Sequence, residues 1–190
     1  MDRIKPQSGQ VNQNEVLLRD NGAWLHFADP HQVIAADNVG DVLPALREVE
    51  RLVESNGWTA AGFLSYEAAP AFDSAFQTQP AAGFPYLWFG LYPEPRLLEL
   101  PEPRHPKRIL DWRPSVDRQV YNSALDQIKV QIAAGKTYQV NYTMRLRADF
   151  TRSAWDFFLH LVQGQNSHAA YLDIGQYVIC SASPELFFQL

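Results

Sequence analysis

The sequence predicts an α+β protein with a mostly antiparallel sheet. Its 190 residues are 46% hydrophobic and 13% aromatic, which is enough to bury a sizeable core. Short apolar runs bounded by turn residues predict strands, and segments with helical periodicity lie between them. Because the helices alternate with pairs of strands, layered α+β architecture is favoured over a doubly wound parallel sheet.

The N-terminal part, residues 1–92, opens with short strands and continues with one helix. The predicted strands are Val16–Leu18, Ala23–Phe27, Val33–Ala35, Trp58–Tyr66 and Tyr86–Tyr92. Between the third and fourth strands, apolar residues recur at helical spacing from Val42 to Val53. Asp41 is the predicted N-cap of this helix, and Gly57 is predicted to end it.

A proline-rich connector, residues 93–114, separates this part from the second part, residues 115–190. Six of the thirteen prolines lie in the connector. Proline cannot donate a hydrogen bond to a strand ladder, so the segment is predicted to be a linker or an edge segment.

The second part opens with a predicted helix, because apolar residues recur at helical spacing from Val120 to Ile132, and Gly135 is predicted to end it. The stretch that follows, "KTYQVNYTMRL", alternates polar and apolar residues and predicts a half-buried strand. Its polar face carries two carboxamides, Gln139 and Asn141.

Three further elements are predicted after this strand. They are a helix with Ser153 as N-cap and Trp155, Phe158, Leu159 and Val162 inward, a hairpin of Ala169–Leu172 and Tyr177–Cys180, and a strand starting in "SPELFFQL". Glu185 would lie at the start of that last, buried strand. A carboxylate there is either held by a basic partner or poised as a general acid, and a purely structural role is the simpler alternative.

Composition and motifs exclude several classes of function. The net charge is −5 and the basic residues are scattered, which does not suit a nucleic-acid partner. No run is long enough to span a bilayer and no signal peptide is evident, so a cytoplasmic protein is expected. Lone Cys180 and the five histidines show no metal-ligand spacing. "AAGKT" is not a phosphate loop, because Val130 occupies the position of its first glycine.

Several motifs together resemble those of the chorismate-utilising enzymes. "IAAGKTYQVNYTMRL" is similar to a family signature in which a helix ends in Ile-x-x-Gly before an aromatic residue and Gln-Val-Asn. "CSASPELFF" is similar to the Ser-Pro-Glu signature of the same family. "GFLSYEAAPAFD" and "LWFGLYPEP" resemble the N-terminal half of its aminodeoxychorismate synthase branch.

The resemblance implies a four-layer α/β/β/α fold with orthogonally packed sheets, of which this chain is the N-terminal portion. It implies chorismate as substrate and Mg²⁺ as cofactor, with the Mg²⁺-binding glutamates beyond Leu190, and it places Ser183, Gln139 and Asn141 at the substrate. Glu185 matches the family's general acid. Members that add water have a lysine where Gln139 stands, so Gln139 implies an ammonia-using member, and Asn141 fits the aminodeoxychorismate pattern better than the anthranilate one.

The expected reaction is therefore chorismate plus ammonia giving 4-amino-4-deoxychorismate, a precursor in folate synthesis. A glutamine amidotransferase subunit would supply the ammonia, and an aminodeoxychorismate lyase, fused or separate, would follow. Because the chain stops within "ELFFQL", the 190 residues alone are expected to be inactive. Two alternatives stay open: an anthranilate synthase component, and a non-catalytic scaffold that uses the aromatic segment Phe63–Tyr92 as a docking surface.

Overall fold

The protein is described by a computed structural model that covers residues 11–106, 109–164, 168–186 and 189. The chain divides into two compact units. The larger unit comprises Met1–His105 and Ser153–Leu190, and the smaller unit comprises Pro106–Arg152. Helices and antiparallel sheets are both present, so the predicted α+β class is confirmed. In the part of the chain that the structure covers, no helix is long and apolar enough to cross a membrane.

Among its described residues, the larger unit contains two antiparallel sheets and three helices. Its elements in chain order are β1 (Val16–Asp20), β2 (Ala23–Phe27), β3 (Gln32–Ala36), α1 (Val39–Asn56), β4 (Thr59–Leu64), a 3-10 helix (Tyr66–Ala71), β5 (Leu87–Tyr92), β6 (Arg96–Leu98), α3 (Ala154–Leu161), β9 (His168–Asp173) and β10 (Val178–Ser183). The first sheet has the order β10-β9-β1-β2-β6, and the second has the order β3-β5-β4.

The alternation of side chains along β1 and β9 builds two cores on opposite faces of the first sheet. Leu17 and Tyr171 face α3 and pack with the buried Trp155 and Phe158 of that helix. Val16, on the opposite face, packs with residues of the second sheet. The first sheet is therefore covered by a helix on one face and by a sheet on the other.

The second sheet is covered in turn by α1. Val42, Val49 and Leu52 of α1 are buried, and they pack in two clusters that include Leu87 and Leu91 of β5. The layers of the larger unit thus follow the order helix, sheet, sheet, helix, as the family resemblance implied. The predicted helix ends where expected, at Gly57 in the left-handed conformation (φ 67°). Its N-cap is Asn38, however, and Asp41 lies in the first turn.

The proline-rich connector contributes an edge strand. Arg96–Leu98 (β6) pairs with β2 and is an outermost strand of the first sheet. The backbone groups on its outer edge therefore need no hydrogen-bond partner in the sheet. The strand predicted over Trp58–Tyr66 is shorter in the structure, where β4 spans Thr59–Leu64 and the 3-10 helix begins at Tyr66.

The smaller unit contains one long helix and one short ladder. Its elements are β7 (Arg113–Pro114), α2 (Arg118–Ala133) and β8 (Leu146–Arg147), with β7 and β8 paired antiparallel. The side chain of Asp117 caps α2 by accepting a hydrogen bond from the Val120 N–H at 2.8 Å. The predicted helix is present, and no residue of α2 is buried.

A buried carboxylate stabilises the start of β1. Glu15 is 6% exposed, and its Oε2 lies 3.0 Å from His26 Nε2 and accepts the Asn12 N–H at 2.8 Å. Burial alone would raise the pKa of Glu15, but the hydrogen bonds from His26 and Asn12 outweigh it and the pKa lies below its ordinary value. The ionised carboxylate is therefore the form that the fold stabilises.

We predict that Glu15→Gln lowers stability near neutral pH by about 1–3 kcal/mol, because charge-assisted hydrogen bonds at a buried site are lost. The folded-state pKa is depressed, so this contribution is present above about pH 4.5 and is lost as the pH falls through the folded-state value. Urea unfolding should show the wild-type and variant curves converging in acid. Exposed Glu54→Gln is the control; a wild-type advantage unchanged in acid would contradict the assignment.

We also predict that Gly62→Ala lowers the free energy of unfolding by about 2–3 kcal/mol. A methyl group at Gly62 in β4 would overlap the carbonyl oxygen of Trp88 in the neighbouring strand. The backbone carbonyl of Trp88 cannot move aside for the methyl group as the flexible end of a side chain could. The matched control is Gly40→Ala in α1, where nothing lies within 4 Å of the added methyl. Equal urea midpoints for the two variants would contradict the packing described for β4 and β5.

Candidate active site

Gln139 and Asn141 lie in the smaller unit, in an irregular segment between α2 and β8. Both side chains are exposed. The predicted strand is wrong for residues 136–145, because ladder pairing begins only at Leu146, opposite Pro114. Alternation prepares a segment for pairing, but a strand also needs a partner strand, and β7 is only two residues long. Past β7, the Ser115 N–H donates to the Arg145 carbonyl oxygen at 2.8 Å, and the chain then enters α2.

Contacts with α2 hold this segment in place. The ring of Tyr142 meets Tyr121 of α2 edge-on, with 5.5 Å between the ring centroids. Val140 and Tyr142 line one side of an open groove of about 700 Å³, and Ala124 and Ile128 of α2 line the other. The Thr137 hydroxyl donates to the Gln139 carbonyl oxygen at 3.0 Å. The backbone at Gln139 is thereby fixed while the carboxamide stays accessible.

Ser183 and Glu185 lie together in the larger unit, at the end of the edge strand β10. Ser183 is the last residue of β10 and is half-buried. Its hydroxyl accepts the Glu185 N–H at 3.2 Å and lies 3.0 Å from the Glu185 carbonyl oxygen, to which it can donate. This local turn fixes the backbone of Glu185 directly after the strand.

Glu185 itself is exposed, and residues 184–186 are not a strand. The expectation that this carboxylate opens a buried strand is therefore wrong for these residues. Residues 187, 188 and 190 of the predicted strand lie outside the described residues. Pro184 accounts for the difference, because proline has no N–H with which to extend the ladder of β10.

The four predicted site residues form two pairs, one in each unit. Gln139 and Asn141 share one segment of the smaller unit, and Ser183 and Glu185 share one turn of the larger unit. Within each pair, the backbone is fixed by hydroxyl hydrogen bonds while the polar side chains of Gln139, Asn141 and Glu185 remain exposed.

Sequence reasoning missed a polar cluster on α3. Asp156 is only 8% exposed, and it accepts hydrogen bonds from His105 Nδ1 and from the Arg104 N–H. The hydrogen bond from His105, together with that from Arg104, holds the pKa of Asp156 below its ordinary value. The one local signal was the Ser-x-x-Asp pattern at residues 153–156, which is typical of a capped helix start.

Other titratable groups offer little chemistry. Burial raises the pKa of the Cys180 thiol to about 12, so this cysteine is not a nucleophile near neutral pH. Among residues 11–106, 109–164, 168–186 and 189, no three His, Cys, Asp or Glu side chains are grouped so that they could hold a metal ion.

Comparison with known proteins identifies the family. The family model described as chorismate binding enzyme matches residues 13–190. The chain belongs to this family of chorismate-binding enzymes.

Two curated proteins are similar to the chain. One is "Aminodeoxychorismate synthase component 1" of Escherichia coli (strain K12), 33% identical over 78 residues, which is 40% of this chain and 17% of that protein. The other is "Aminodeoxychorismate synthase" of Streptomyces griseus, 28% identical over 172 residues, which is 90% of this chain and 20% of that protein. The chain thus spans a fifth or less of these relatives' lengths.

Proposed function

We propose that the protein carrying this chain is an aminodeoxychorismate synthase component I, which converts chorismate and ammonia to 4-amino-4-deoxychorismate. Membership of the chorismate-binding family supports the substrate. Both similar proteins bear the name aminodeoxychorismate synthase, which supports the aminating reaction. The observation that carries the proposal within the chain is the carboxamide at residue 139.

The chemistry of Gln139 favours ammonia over water as nucleophile. A carboxamide can donate and accept hydrogen bonds, but it cannot remove a proton from water near neutral pH. Ammonia already has a nucleophilic lone pair and needs only to be oriented. Gln139, with Asn141 two residues away, offers acceptor oxygens for the ammonia N–H groups, and both side chains are exposed for this role.

Glu185 is the proposed general acid of the reaction. In the net conversion, a carbon–nitrogen bond forms at ring position 4 and the carbon–oxygen bond to the hydroxyl breaks. The hydroxyl leaves as water, which requires a proton, and the carboxyl group of Glu185 is the proposed donor. The Ser183 hydroxyl fixes the backbone of Glu185, which supports its proposed role of contacting the substrate beside Glu185.

The partners and cofactor belong to the same proposal. A glutamine amidotransferase subunit would supply ammonia, and an aminodeoxychorismate lyase would consume the product. Mg²⁺ would neutralise the carboxylates of chorismate when bound. Among the described residues, no three His, Cys, Asp or Glu side chains are grouped as ligands for it. The candidate docking surface for the amidotransferase subunit is formed by exposed aromatic side chains around the 3-10 helix, namely Tyr66, Phe72 and Phe76.

We predict that Gln139→Lys, made in the natural polypeptide that contains this chain, lowers the ammonia-dependent rate of chorismate amination at least about tenfold. The lysine introduces a charge where ammonia should be oriented and a base that can activate water. Chromatography of the products should therefore also reveal a hydroxylated isomer of chorismate.

The matched control is Gln119→Lys on the exposed surface of α2, which should leave the rate unchanged. If Gln139→Lys and Gln119→Lys both retain the wild-type rate and product, the role of Gln139 is disproved.

A further inference from the structure

The chain passes between the two units twice, at His105–Pro106 and at Arg152–Ser153. Within the larger unit, the residues at both passages belong to one polar cluster. Arg104 and His105 lie before the first passage, and Ser153 and Asp156 lie after the second. The last residues of the larger unit before segment 106–152 and its first residues after that segment therefore meet in one cluster.

Asp156 contacts the stretches on both sides of segment 106–152. Its Oδ1 accepts the Arg104 N–H at 3.1 Å, and its Oδ2 pairs with His105 Nδ1. Its own N–H donates to the Ser153 hydroxyl at 3.2 Å, which caps α3. A carboxylate three residues after an N-cap serine ordinarily bonds back to the N–H of that serine. Here the two oxygens instead hold backbone and side chain from about fifty residues earlier.

His160 completes the attachment from the same face of α3. It lies four residues after Asp156, so the two side chains are neighbours on the helix surface. Its Nε2 lies 2.7 Å from the His105 carbonyl oxygen. A carbonyl can only accept, so His160 is the donor, and the tautomer with a proton on Nε2 is required.

We propose that Asp156, His105 and His160 form a clasp that joins residues 104–105 to the start of α3, so that the two stretches of the larger unit that flank segment 106–152 are held together. The three contacts link one turn of a helix to residues 104–105, in the middle of the proline-rich connector, which has few ladder hydrogen bonds of its own. Opening the clasp frees these connector residues and leaves both sheets folded, because their cores use none of these side chains. The clasp is a conformational device and does not depend on the proposed reaction.

The test uses the 190-residue chain and two variants, Asp156→Ala and His160→Ala. Neither substitution alters the trypsin sites at Arg104, Lys107 and Arg108. We expect amide exchange at Arg104 to accelerate at least about tenfold in each variant, and the first tryptic cut to fall in residues 104–108 correspondingly sooner. Exchange at the amides of β1 and β9 should remain at the wild-type rate.

The control is His31→Ala, which removes an exposed histidine stacked on Trp58 and should change neither readout. Wild-type exchange at Arg104 in both variants would overturn the clasp. Uniformly faster exchange across β1, β9 and α3 would also overturn it, because the cluster would then be an ordinary part of the core.

Discussion

The antiparallel pairing of β1 with β9 is the constraint on which the larger unit depends. Val16, Leu17 and Leu18 pair with Leu172, Tyr171 and Ala170, across about 150 residues of chain. Because side chains alternate along both strands, this register places Leu17 and Tyr171 against α3 and Val16 and Leu172 against the second sheet. A shift by one residue would exchange the two cores.

The same pairing determines where the candidate site residues lie. It returns the chain to the first sheet after the excursion through residues 106–152, and it makes β10 the edge strand. Ser183 is the last residue of this edge strand, and Glu185 lies two residues after it. Gln139 and Asn141 instead depend on α2, whose apolar residues hold the carboxamide segment through Val140 and Tyr142.

Local sequence signals predicted much of the larger unit. The β2 strand has the predicted bounds, Ser153 caps α3 as predicted, and Gly57 ends α1. In each case the cause is local: a turn dipeptide, a hydroxyl that accepts an N–H, or a glycine that adopts a positive φ. The layer order followed from the family resemblance, and the observed hydrophobic clusters agree with it.

The features that the sequence did not predict depend on residues that are distant in the chain. Alternation in residues 136–145 indicated a strand, but the segment has no ladder partner until Leu146. The apolar residues of α2 recur at helical spacing, yet Val120 and Val130 are 50% and 62% exposed, so the spacing predicted the helix but not which of its residues are covered. The bonds from Asp156 to Arg104 and His105 likewise join residues that no sequence spacing relates.

The most direct test of the proposed function is the fate of isotopically labelled ammonium. The natural polypeptide that contains this chain would be incubated with chorismate, Mg²⁺ and labelled ammonium, and the products resolved by mass spectrometry. The proposal predicts label in 4-amino-4-deoxychorismate with the enolpyruvyl group retained. Labelled anthranilate with release of pyruvate, or an unlabelled hydroxylated isomer, would contradict it.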